Sequence, residues 1–208
     1  MPVLITGIGR SSTGYVARLF SALHRSCGHE VIFNIDAVRR GGLFDAQARW
    51  GDSSWLAAPL LSTLPADWHI IHLVRHPHEW LRSWLAKDTD EAHLDWIAEH
   101  TGLEHATAPD VDTCARLYVT WNYLVERSGR GVRVQAESLW VPEGVLALTA
   151  SLGMIVSDVA ARRAVETAQR KDAHRHTKNY GAWNDPQVTD VEALEALNAM
   201  GRRYGYVV

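Results

Sequence analysis

Two groups of residues carry recognisable chemistry in this sequence. Gly9-Arg10-Ser11-Ser12-Thr13-Gly14-Tyr15 brings a guanidinium and three small hydroxyl side chains between two glycines. It follows the apolar run Val3-Leu4-Ile5 and precedes a helical pattern with Val16, Leu19, Phe20 and Leu23 on one side, so the expected order is strand, turn, helix. The first N–H groups of a helix lack internal partners and lie at the positive end of its dipole, so successive amides of such a turn wrap an oxyanion. Arg10 adds a charged, forked donor, and the hydroxyls of Ser11, Ser12 and Thr13 add hydrogen bonds. The ATPase pattern Gly-x-x-x-x-Gly-Lys-Ser/Thr is not met, because the turn holds no lysine. The second group closes another apolar run: Ile70 to Val74 reads as a buried strand leading to Arg75, with Pro77 suited to a first helical turn and Ser83 about two turns further on. That spacing lets Arg75 and Ser83 face one phosphate, the arginine by bidentate hydrogen bonds.

Gly9 to Tyr15 resembles the 5′-phosphosulfate loop of sulfotransferases that use 3′-phosphoadenosine 5′-phosphosulfate (PAPS), where a basic residue precedes Ser-Gly-Thr-Thr or a close variant. His72-Leu-Val-Arg75-His-Pro77-His-Glu-Trp-Leu-Arg-Ser83 resembles the other nucleotide motif of that family, a strand ending in Arg, then Pro two residues later and Ser eight residues after the Arg. Gly28-His29-Glu30 is similar to a Gly-His-Glu segment of some sulfotransferase-like proteins, and Trp121-Asn122 to a pair in bacterial relatives. Glu137-Ser138-Leu139 resembles part of the family's Tyr-Glu-Asp-Leu segment, with a structural role expected for Glu137. The basic stretch from Arg170 to Asp185 resembles the Arg-Lys-Gly…Gly-x-Trp loop that closes over the nucleotide. Aligning Gly181-x-Trp183 puts His176 and Thr177 where Arg and Lys would stand, so that Lys178, Arg175 or Lys171 would substitute. Arg10 replaces the lysine of the cytosolic branch, and Ser12 and Gly14 replace the loop's commonest Gly and Thr, as in a divergent branch.

The resemblance implies a PAPS-dependent transfer of a sulfuryl group to a hydroxyl or amine of a small acceptor, in line and without a metal. Gly9 to Tyr15 would hold the 5′ end of the nucleotide, Arg75 and Ser83 its 3′-phosphate, and Lys178 would close over it. Arg10 would stabilise the leaving phosphate, while its permanent charge makes it unfit to donate a proton. A base for the acceptor proton is needed, with Glu30 first, His29 second and Asp52 behind them. Two other readings stand beside this one: a P-loop kinase of a small metabolite, which needs magnesium ligands, and a sulfotransferase-like protein that keeps nucleotide binding without catalysis.

These residues need a scaffold. The 208 residues, 47% of them hydrophobic, suffice for one α/β domain, and a net charge of −3 gives no reason to expect nucleic acid or an anionic membrane as a partner. The eleven histidines are spread out, and His100, His105, His174 and His176 have no cysteine at zinc-site spacing, so no metal is expected. Two cysteines and the lack of a basic region followed by a long apolar core lead to the expectation of a soluble cytoplasmic protein. The expected fold is α/β, three-layer and P-loop-like, with a central parallel sheet of about four or five strands and helices on both faces.

Along the chain, the first helix is expected to run to Cys27, with Gly28 as its stop and Glu30 to Phe33 as the second strand. Asn34 to Gly51 reads as a long loop, part of an acceptor-site lid. Asp52 or Ser53 caps a helix reaching toward Leu61, which leaves Ser53 and Ser54 placed to touch the acceptor. Further helices are expected over Glu79–Ala86 (with Trp80 and Trp84 as core), Asp90–His100, Asp110–Arg127, Glu143–Leu152, Asp158–Arg170 and Asp190–Tyr204, and a strand over Val132–Glu137.

Overall fold

The computed structural model describes residues 2–41, 49–86, 89–103, 110–170 and 186–208. Five strands form its sheet: β1 (Val3–Gly7), β2 (Cys27–His29), β3 (Gly51–Ser53), β4 (His69–Val74) and β5 (Val132–Gln135), all parallel, in the order β2-β3-β1-β4-β5. Among the described residues the helices are α1 (Thr13–Ala22), α2 (Ile35–Arg40), α3 (Pro77–Leu85), α4 (Glu91–Thr101), α5 (Val111–Arg127), α6 (Pro142–Ser151), α7 (Asp158–Arg170) and α8 (Val191–Arg203), with 3-10 turns over Trp55–Leu60 and Ala136–Trp140.

Alternation along the central strands divides the core in two. Val3 and Ile5 of β1, with Ile71 and Leu73 of β4, pack on α1, α6 and α7. Leu4, Ile70 and Val74 face the other way, onto the aromatic layer of the Trp55–Leu60 turn, α3, α4, α5 and α8. A parallel sheet covered on both faces needs apolar residues at every central position, which is why β1 and most of β4 read as uninterrupted apolar runs. The result is the expected three-layer, P-loop-like α/β fold. With β3 on one side of β1 and β4 on the other, the loop after β1 lies at the point where strand order reverses, the usual ligand crevice of such sheets.

Several expected elements differ. α1 ends at Ala22, and the second strand is Cys27–His29, ended by Glu30 in a left-handed conformation (φ 54°), in place of Glu30–Phe33. Pairing with β3, not local propensity, makes these three residues a strand. The stretch after Asn34 holds α2, whose first turn is capped by the Asn34 side chain accepting from the Ala37 N–H and which is closed by Gly41 at φ 61°. Asp52 and Ser53 belong to β3 and do not cap a helix; Trp55–Leu60 is a 3-10 turn containing Pro59. β5 stops at Gln135, two residues short of Glu137. α3, α4, α5, α6, α7 and α8 lie within two residues of expectation, and Trp80 and Trp84 are both buried in the core. Among the described residues, no helix is long and apolar enough to cross a membrane.

A histidine is built into the core. His72 of β4 lies against the edge of Tyr204, and its Nε2–H donates to Asn122 Oδ1 at 3.0 Å; Asn122 spends its own N–H on the Tyr118 carbonyl, which fixes the direction of the bond. Burial pushes the imidazole pKa from 6.5 down to about 4. The folded state therefore resists a proton that the unfolded chain takes up below pH 6.5, so the contribution is intact above that value and is lost progressively as pH falls to 4. The loss amounts to about 3 kcal/mol, at roughly 1.4 kcal/mol per unit. Urea denaturation at stepped pH is expected to show this decline, and His72→Gln is expected to flatten it.

Candidate active site

The loop after β1 is held from beneath by tryptophans. Trp121 Nε1 donates to the Gly7 carbonyl at 3.0 Å, and Trp80 Nε1 to the Gly9 carbonyl at 2.5 Å. Gly9 lies against two further indoles, since a Cβ there would stand 2.9 Å from Trp84 and 3.2 Å from Trp55. Because C=O and N–H of a trans peptide point in opposite directions, drawing the Gly9 carbonyl into the aromatic layer turns the following amide outward. Ser11 N–H closes the turn on the Ile8 carbonyl at 3.1 Å. Arg10 and Ser12 both adopt φ 69°, a left-handed conformation that costs non-glycine residues on the order of 1 kcal/mol each. The strain lies in the loop, where it shapes the turn of the amides.

α1 then starts bare. Ser12 precedes it without a side-chain cap, and its first turn contains no acidic residue, so the dipole's positive end is uncompensated. Ser11 is fully buried, and its hydroxyl finds no partner among the described residues.

Arg75 and Ser83 reach the same loop. Arg75 leaves the end of β4, and its Nη1 donates to the Arg10 carbonyl at 2.9 Å. Arg10 folds across to α3, where its Nε donates to Ser83 Oγ at 3.0 Å. The two sequence groups thus form one cluster. Ser83, at 1% exposure, braces the Arg10 guanidinium. The buried Nε of Arg75 has no partner among the described residues. An unpaired buried donor is costly, so Ser11 Oγ and Arg75 Nε, beside an uncapped helix start, fit a phosphate or sulfate as their missing acceptor.

On the other side of the loop stand His29 and Glu30. β2 delivers them next to Thr13, whose Oγ1 lies 3.2 Å from His29 Nε2; the same nitrogen is 3.6 Å from Glu30 Oε1. The imidazole side chain is 46% exposed and the carboxylate 26%, so both are open to a reactant. Gly14 is the floor of this corner: a Cβ on it would touch the His29 ring at 3.4 Å and Arg18 Nη1 at 3.5 Å. An imidazole and a carboxylate beside a cationic loop can take a proton from a nucleophile held between them and a bound anion.

Other predicted residues have different work. Asp52 is fully buried, and its carboxylate accepts from the N–H groups of Val31 at 3.2 Å and of Ile32 and Phe33 at 3.0 Å. It anchors the segment after Glu30 and does not reach a reactant. Ser53 and Ser54 are likewise interior, donating to the carbonyls of Thr13 and Phe33. The Tyr15 hydroxyl points away from the loop and donates to the Leu139 carbonyl at 3.0 Å. Lys178, with Lys171, Arg175 and the Gly181-x-Trp183 stretch, lies outside the described residues. Trp80 and Trp121 emerge as loop anchors; the only sequence signal for that is general, that a buried indole N–H needs an acceptor. No protein-family model matches this chain, and no curated protein shows significant similarity to it.

Proposed function

We propose that this chain is a PAPS-dependent sulfotransferase, moving a sulfuryl group to a hydroxyl or amine of a small acceptor. The observation that carries this reading is the convergence of Arg10, Arg75 and Ser83 on a strained loop at a bare helix start, with no acceptor for Ser11 Oγ or Arg75 Nε among the described residues. PAPS supplies a sulfuryl group already joined to a phosphate leaving group. The loop amides and Arg10 would hold the 5′ end and stabilise charge on the departing phosphate oxygen, which preorganised donors do without reorganisation. Arg75 would grip the 3′-phosphate. Glu30 would take the acceptor's proton, with His29 beside it as the second candidate. Both cysteines, Cys27 and Cys114, are buried thiols outside any disulfide, which suits a reducing compartment such as the cytoplasm. A kinase would use a strand-end acid for magnesium, whereas Asp52 is committed to three backbone amides.

Calorimetric titration with 3′-phosphoadenosine 5′-phosphate (PAP), beside ATP with magnesium, tests the proposal. Wild-type protein is expected to bind PAP without metal, and Arg75→Ala to weaken that binding on the order of 100-fold, the loss of a charged, forked contact. ATP binding that requires magnesium, with none of PAP, would reject the sulfotransferase in favour of the kinase.

A further inference from the structure

At the end of β4 the chain leaves the sheet, and three successive residues from Val74 to His76 have backbone groups held by side chains from distant elements. The Tyr118 hydroxyl, from α5, donates to the Arg75 carbonyl at 2.5 Å. Glu137, in the 3-10 turn after β5, accepts the His76 N–H on Oε1 at 3.0 Å. The Tyr206 hydroxyl shares its single hydrogen between Glu137 Oε2, at 2.7 Å, and the Val74 carbonyl, at 3.2 Å. Tyr206 comes back to this place because α8 ends in a Schellman turn: Gly205 takes φ 82°, Tyr206 N–H bonds to the Gly201 carbonyl and Gly205 N–H to that of Arg202. The Tyr206 ring then lies edge-on to His76 at 5.2 Å, and the His76 Nε2–H donates to the Val207 carbonyl.

We propose that Tyr118, Glu137 and Tyr206 form a clamp that positions Arg75 for an anionic ligand, so that the segment after α8 belongs to the nucleotide site although it touches no nucleotide. This rests on the reading above, in which Arg75 contacts a phosphate. The clamp grips the peptides on both sides of Arg75, whose buried Nε finds no partner among the described residues. Side-chain aim from a strand end depends on the φ and ψ of the last residues, and the sheet ladder no longer sets these at Arg75. Burial raises the pKa of both tyrosines above the ordinary phenol value, and the Glu137 carboxylate pushes in the same direction at each, against the opposing pull of Arg75; Tyr204 adds to the rise at Tyr118, and Tyr118 to that at Tyr206. Both hydroxyls therefore remain donors throughout the accessible pH range.

The test pairs affinity with a signal that needs no ligand. Tyr206→Phe keeps the ring and removes the hydroxyl; Glu137→Gln keeps the shape and removes the charge. Each is expected to raise the PAP dissociation constant about tenfold, the scale of one lost hydrogen bond to a positioned group. In an Arg75→Ala background, Tyr206→Phe is expected to cost nothing further, because the clamp then has nothing to aim. An unchanged affinity, or an equal loss in both backgrounds, would overturn the clamp. If wild-type protein binds no PAP, the sulfotransferase reading fails, and the clamp is judged by NMR of the Arg75 Nε–H, assigned through Arg75→Lys. A resonance displaced and exchanging faster in Tyr206→Phe supports it, and an unmoved one refutes it.

Discussion

Asp52→Ala is expected to remove about 2–4 kcal/mol of folding free energy, read as a lowered urea midpoint, because it strands the buried N–H of Phe33 and the partly buried ones of Val31 and Ile32 at up to roughly 1–3 kcal/mol each, less what water and relaxation recover. The carboxylate is fully enclosed and accepts from Val31, Ile32 and Phe33 together. Its place is made by Gly28 on the adjacent strand, where a Cβ would stand 2.5 Å from Asp52 Oδ1. Against a typical total of about 5–15 kcal/mol, such a loss brings the fold near its threshold. Asp52→Asn, which keeps one oxygen acceptor, is expected to fall between. A loss under about 1 kcal/mol for the alanine variant would mean that water reaches these amides and that Asp52 is no anchor. The consequence extends to the site, since the segment that Asp52 holds begins directly after Glu30.

Asp52 also illustrates what a sequence hides. An aspartate followed by Ser-Ser-Trp-Leu is a strong helix-start signal, and the residue does cap N–H groups, but those of a segment some twenty positions earlier. Which amides a carboxylate satisfies is a tertiary fact. β2 was illegible for a related reason: Cys27-Gly28-His29 has no alternating pattern and is a strand only because β3 lies beside it. α2 carried its signals openly, in Asn34 and Gly41, yet buries only Val38 and so shows no apolar period.

β1, the loop and α1 were readable because the period switches from a continuous run to helical spacing around a Gly-bounded turn. The same holds for β4, Arg75 and Pro77. Which residues converge on the loop was thus visible in part, whereas their wiring was not. No spacing rule says that Arg10 crosses to Ser83, or that Trp80, expected as plain core, and Trp121, noted only as part of a resemblance, fasten the loop by their N–H groups.

Glu30→Gln is expected to lower kcat on the order of 10²–10⁴-fold, the range of a lost general base, while leaving the affinity for PAP within about twofold. The separation follows from geometry. The nucleotide contacts proposed above come from the loop, Arg75 and the start of α1, whereas Glu30 meets the loop through His29, whose Nε2 is 3.2 Å from Thr13 Oγ1 and 3.6 Å from Glu30 Oε1. Arg75→Ala should show the reverse pattern, lost affinity before lost chemistry. Glu30 also holds a left-handed backbone at φ 54°, fixed by its N–H to the Ser53 carbonyl, a conformation that glycine adopts freely. Glu30→Gly is therefore expected to abolish turnover at no cost in stability, as relief of about 1 kcal/mol of strain offsets the extra freedom of glycine in the unfolded chain. Stability unharmed with activity gone is the mark of a residue kept for chemistry. If Glu30→Gln turns over as the wild type does, the carboxylate is not the base, and His29→Ala becomes the deciding variant.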